Sequence, residues 1–82
     1  MDELVKRLRR IEGQVRGIQQ MLIDQRDCRD VVVQISAVGK ALDQTGFKLV
    51  AAGLVYCTEN PTKAAKEGYD VDSVQKMFLK LA

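Results

Sequence analysis

Residues 28–57 read CRDVVVQISAVGKALDQTGFKLVAAGLVYC, a stretch that opens and closes on the chain's only two cysteines. It holds no proline, and Val31, Ile35, Val38, Leu42 and Leu49 follow three- and four-residue steps, interrupted only at Thr45. That spacing predicts one long amphipathic helix. The cysteines are 29 residues apart, close to a whole number of turns at about 3.6 residues each. Both thiols should therefore emerge on nearly the same side, that of Val31, Ile35 and Leu42. Along a continuous helix they lie roughly 43 Å apart, whereas a disulfide needs Cα atoms within about 7 Å. One straight chain cannot join its own two cysteines. An antiparallel copy would set each Cys28 near the partner's Cys57, so the expectation is a two-fold dimer with two mixed-chain thiol pairs.

A second apolar stripe on the same helix, Val32, Phe47, Val50 and Leu54, leaves more than one face to bury. One face suits the first helix and another a partner chain. Gly39, Gly46 and Gly53 lie near the border between the stripes and would allow close helix contact.

Working outward, residues 2–27 carry Leu4, Leu8, Ile11, Val15, Ile18 and Leu22 at alternating steps of four and three, a regular heptad seam. Asp2 and Glu3 suit the positive end of the helix dipole. Lys6, Arg7 and Arg10 flank one edge of the seam, and Arg9 and Arg16 lie nearly opposite it. Five basic residues against one acid, Glu12, between Lys6 and Arg16 suit phosphate binding or a plain solvated face. No helix-turn-helix spacing, zinc finger or stacking aromatics accompany them, so a DNA surface would be assembled from several chains.

DQRD ends the first helix, and Asp27 is placed to cap the second, with Cys28 in its first turn. Helix-start N–H groups and the neighbours Arg26 and Arg29 favour a thiolate at Cys28; Asp27 and Asp30 oppose it. Cys57 sits at the opposite helix end near Glu59. The asymmetry makes Cys28 the attacking nucleophile and Cys57 the resolving thiol. The bland alternative is inert cysteines filling an apolar face, and the matched phasing argues against it. After Cys57, TENP breaks the pattern at Pro61, PTKAAKEG reads as a short helical turn closed by Gly68, and Asp70 or Asp72 can cap a last helix bearing Val71, Val74, Met77, Phe78 and Leu81.

Composition narrows the functions. Eighty-two residues make one small domain, 1–82, and 46% hydrophobic content exceeds what three short helices would hide, which favours oligomerisation. The start is acidic rather than basic, and no apolar run approaches the ~18 residues of a membrane span, so a cytoplasmic protein without membrane contact is expected. Two cysteines in that setting read as reactive or metal-binding. Histidine is absent altogether, which removes the commonest general base and metal ligand and weakens enzyme readings.

RLRRIEGQVRGI at 7–18, DCRDVVVQISAV at 27–38 and a cysteine near the end of the same helix together resemble the copper-sensing operon repressor family (CsoR/RcnR-like). The resemblance covers residues 4–57 well and the tail only in helical character. It implies an all-α, three-helix subunit, an antiparallel four-helix-bundle dimer, and a homotetramer made of two dimers. It also implies a transcriptional repressor, not an enzyme, released from operator DNA when an inducer reaches the cysteine site. Arg7, Arg10 and Arg16 match basic positions of the family's first-helix motif and are the candidate DNA contacts.

One departure matters. Copper-sensing members place a histidine four residues before the second cysteine, and here that position is Gly53. Nickel- and cobalt-type members need still more histidines, and the N-terminal proline of the formaldehyde-sensing branch is replaced by Asp2. A bare Cys28/Cys57 pair with aspartate before the first is similar to the persulfide-sensing (CstR-like) branch. The resulting expectation is a sensor of reactive sulfur species with no resident metal or cofactor. The runner-up is a cuprous-ion sensor using the same two thiolates, since Cu(I) favours soft ligands. A non-DNA-binding helical scaffold or small thiol enzyme comes last.

Overall fold

The computed structural model describes residues 2–82. They form α1 (Asp2–Ile23), α2 (Cys28–Glu59), α3 (Pro61–Lys66) and α4 (Val71–Leu81), with no strand among the described residues. The all-α expectation holds. The expected count of three helices becomes four, because the short turn after Pro61 completes a six-residue helix. None of the described helices is long and apolar enough to cross a membrane. The chain divides into two compact units, one ending at Thr45 and one beginning at Gly46, with α2 contributing to both.

In the first unit, α1 and the opening turns of α2 are joined by residues 24–27. The α1 terminus closes as a Schellman motif: the Arg26 N–H donates to the Met21 carbonyl at 2.9 Å and the Gln25 N–H to Leu22 at 3.1 Å. Gln25 takes the left-handed position at φ 55°, where a residue with a Cβ costs about 1–2 kcal/mol. Asp27 then caps α2, its carboxylate accepting the Arg29 N–H at 2.8 Å. The buried residues are Ile11 on α1 and the heptad-spaced Val31, Val38 and Thr45 on α2. Thr45 explains the interruption in the apolar line. Its hydroxyl donates to the Ala41 carbonyl one turn back at 2.8 Å, so it enters the core with its polar group satisfied. Leu8 and Leu22 on α1, with Ile35 and Leu42 on α2, remain substantially exposed.

In the second unit, α3 and α4 fold back on the end of α2. Pro61 holds Asn60 out of helical geometry (φ −133°, ψ 62°) and itself takes the first helical position of α3. The α3 terminus is a second Schellman motif, with the Tyr69 N–H on the Ala64 carbonyl at 2.7 Å and the Gly68 N–H on Ala65 at 3.1 Å. Gly68 sits at φ 82°, a conformation that needs glycine. Asp70, rather than Asp72, caps α4: its carboxylate accepts the Ser73 N–H at 2.8 Å, and that bond holds the carboxyl below its ordinary value. Cys57, Ala64 and Val74 form the buried cluster, with Val50 and Tyr56 packed against it. The Phe47 and Phe78 rings lie 5.4 Å apart. Gly46 permits the end of α4 to come close, since a Cβ there would stand 2.9 Å from a Leu81 methyl.

Val74 is only 2% exposed at the centre of this small cluster. Val74→Ala should lower unfolding stability by about 2 kcal/mol, read from the midpoint of urea denaturation.

Candidate functional site

Cys28 is the first residue of α2, and its thiol is exposed. Its surroundings are set by the cap beside it. Asp27 accepts the Arg29 backbone N–H and also two N–H groups of the guanidinium, Nε at 3.2 Å and Nη2 at 3.0 Å. The Arg29 side-chain bond, then its backbone bond, hold the Asp27 carboxyl below its ordinary value of 3.8. Arg29 is raised in return by the same carboxylate. The arginine and the aspartate that flank Cys28, set in opposition in the sequence reading, are thus paired with each other.

Cys57 meets the opposite conditions. It lies near the end of α2 and is 6% exposed, beneath Ala64 and Val74. Its S–H donates to the Tyr69 carbonyl. That carbonyl is aimed back at α2 by the Schellman turn whose N–H side is spent on Ala64. Next to the thiol, the Tyr56 hydroxyl donates to Glu67 Oε2 at 2.9 Å. Desolvation first, and then the Glu67 bond, hold the phenol above its ordinary value, so it stays a donor at neutral pH. Sequence reasoning placed Cys57 near Glu59 and a helix end; burial and a carbonyl from beyond α3 are its actual neighbours. It also passed over Tyr56, Glu67 and Tyr69. A tyrosine adjoining the cysteine, followed by a carboxylate just before a chain-reversing glycine, was the available signal.

Among the described residues no group of three or more histidines, cysteines, aspartates or glutamates could hold an ion. At Gly53, one turn before Cys57, an added Cβ would meet only a Val74 methyl at 3.9 Å.

The basic residues of α1 fall into two settings. Arg7 and Arg10 line one open hollow of ≈180 Å³ in the first unit, with Ile11, Gln14, Ala41 and Thr45. The Nε of Arg7 is buried there without a hydrogen-bond partner. Arg16 stands apart, exposed and paired with Glu12 at 3.3 Å across one helical turn.

The Asp27–Arg29 pair can be tested directly. Asp27→Asn keeps a capping oxygen but removes a negative charge beside Cys28 and releases Arg29. Alkylation of Cys28 at pH 7 should accelerate by about threefold, the effect of one nearby charge in a water-like medium. An unchanged rate, followed by peptide mass spectrometry, would show that the cap does not tune this thiol.

A family model described as "Metal-sensitive transcriptional repressor" matches residues 1–80. Among characterised proteins, the chain is 46% identical over 67 residues to the copper-sensing transcriptional repressor RicR of Mycobacterium tuberculosis, covering 82% of this chain and 67% of that one. It is 37% identical over 79 residues to the copper-sensing transcriptional repressor CsoR of Bacillus subtilis, covering 96% and 78%. Among solved structures it superposes on the copper-sensing repressor CsoR with Cu(I) from Geobacillus thermodenitrificans with a TM-score of 0.73 and 43% identity, over 93% of this chain and 76% of that one. The chain belongs to the metal-sensitive, CsoR-like family of transcriptional repressors and is a repressor, not an enzyme.

Proposed function

We propose that this repressor senses persulfide or polysulfide through Cys28 of one chain and Cys57 of another, and leaves operator DNA once the pair is modified. The observation that carries the reading is the donor set: two cysteines, no histidine anywhere, and Gly53 where copper-sensing relatives supply a third ligand. A thiol-only pair is suited to sulfur transfer. The Cys28 thiolate attacks the outer sulfur of a persulfide R–S–SH, forming Cys28–S–SH and releasing RS⁻. The Cys57 thiolate of the second chain then attacks the Cys28 sulfur, forming the interchain disulfide and releasing HS⁻. If both cysteines are first persulfidated, attack of one terminal sulfur on the other inner sulfur gives a trisulfide and HS⁻, a bridge with a longer reach.

The pairing requires a second copy. Ile35 and Leu42 are exposed along the side of α2 that leads to Cys28, as are Leu8 and Leu22 on α1. An antiparallel dimer, itself paired into a tetramer, would cover these rows. We read the whole chain, 1–82, as one repressor domain acting on DNA in the cytoplasm. Arg7, Arg10 and Arg16 are assigned to the operator: the first two line one hollow, and the third sits exposed farther along α1.

A second reading keeps the same thiols and changes the inducer. The relatives named above are copper-sensing repressors, and cuprous ion accepts two thiolates linearly. Two chains would then supply Cys28 and Cys57 as the whole ligand set.

One experiment separates the two. Polysulfide added to the reduced repressor should give covalent dimers linked Cys28 to Cys57 through a disulfide or a trisulfide, with DNA released. Cys28→Ala should abolish linkage and release, whereas Cys57→Ala should stop at a persulfide on Cys28. Denaturing mass measurement and non-reducing electrophoresis read the outcome. A tight cuprous complex that releases DNA while polysulfide does not would establish the second reading instead.

For the DNA face, alanine at Arg7, Arg10 and Arg16 together should weaken operator binding. It should also flatten the log–log salt slope by roughly 0.9 for each phosphate that is no longer neutralised. Unchanged affinity at physiological salt would leave the basic face as a solvated surface.

A further inference from the structure

We propose that α3 and the turn after it act as a latched cap over Cys57, with Tyr56 and Glu67 as the latch, so that the thiol can react only when this segment lifts. The proposal deepens the sensing role assigned to Cys57 above and rests on it for its biological meaning.

Three observations within the second unit carry it. First, the groups from outside α2 that cover the thiol come from the stretch that follows it: Ala64 in α3, Val74 in α4, and the Tyr69 carbonyl between them. Second, that segment is lightly held. The helix α3 has six residues, too few to persist alone, and Ala64 is its only buried side chain. Tyr69 is 46% exposed, so it contributes its backbone and little packing. Third, apart from the bond that Cys57 itself gives to the Tyr69 carbonyl, the side-chain bond tying the segment to α2 among the described residues runs from the Tyr56 hydroxyl to Glu67 Oε2, and its donor adjoins Cys57 in sequence.

Access to a buried group through a lightly packed segment is set by local opening, which costs less than global unfolding. While the cap is closed, the Cys57 S–H is spent on the Tyr69 carbonyl and the residue is 6% exposed. Opening breaks that bond and frees the sulfur. A sulfur bridge formed on Cys57 then takes the place of its packing against Tyr69 and Ala64, so the cap cannot close as before. Chemistry at the thiol is in this way coupled to the position of α3 and the start of α4. Cys28, exposed at its helix start, has no such cap. The order of events is set accordingly: the open thiol captures the sulfur, and the capped one resolves it.

The test uses the intact, reduced repressor without DNA and iodoacetamide as the probe, with each cysteine followed separately by peptide mass spectrometry. In the wild type Cys57 should be alkylated at least about tenfold more slowly than Cys28. Tyr56→Phe and Glu67→Ala each remove one side of the latch and should raise the Cys57 rate roughly two- to tenfold, leaving Cys28 unchanged. Glu67→Gln keeps an acceptor and should stay near the wild-type rate. Equal rates for the two thiols in the wild type, or an unchanged Cys57 rate in both latch-breaking variants, would overturn the cap. So would variants in which both thiols speed up together, since that is general loosening. The readout involves neither DNA nor sulfane sulfur, so a failed sensing assignment leaves it standing, and a failed cap leaves the sensing assignment intact.

Discussion

Burial of side chains along α2 is the interaction on which the other elements depend. The helix is 32 residues long, and each remaining element is placed by the part of α2 that it covers. In the first unit the buried row is Val31, Val38 and Thr45, with Ile11 of α1 as the counterpart. In the second, Cys57 is covered by Ala64 and Val74, and Gly46 stands against Leu81. Few side chains are fully enclosed, and much of the apolar surface of α1 and α2 stays in water. A chain of this size cannot enclose more by itself. The exposed rows are the physical reason that a second copy enters the proposed mechanism.

The two cysteines share a helix but not an environment. A helix start leaves its first N–H groups unpaired, so Cys28 meets donors and solvent. Near the helix end the surplus is in carbonyl groups, and Cys57 meets one, though from Tyr69 beyond α3. The first setting is open to solvent; in the second the thiol is buried and donates a hydrogen bond. The roles proposed for the two sulfurs rest on that difference in access. In the first setting Asp27 and Arg29, which flank the thiol, pair with each other.

The absence of histidine constrains the chemistry more than any residue that is present. The relatives carry copper in their names, and the fold is theirs. Two thiols without a histidine have either a linear metal complex or sulfur–sulfur chemistry open to them. A Cβ added at Gly53 would meet a Val74 methyl at 3.9 Å.

The sequence by itself determined the helical class, the extent of α2 and its cap at Asp27, because period and capping chemistry are local properties. It also set the chain break at Pro61 and the reversal at Gly68, where backbone sterics leave few choices. The family was legible in the same way, from RLRRIEGQVRGI and DCRDVVVQISAV. Only the tertiary structure decided which apolar residues are covered: Ile35 and Val38 look alike in the pattern, yet one is exposed and the other buried. It alone turned Thr45 from an interruption into a core residue, by supplying the Ala41 carbonyl as acceptor. And it alone brought the Tyr69 carbonyl, twelve residues along the chain, onto Cys57. Periodicity reports which side of a helix a residue occupies, but what stands opposite is set by how the chain returns, and that depends on packing between distant segments.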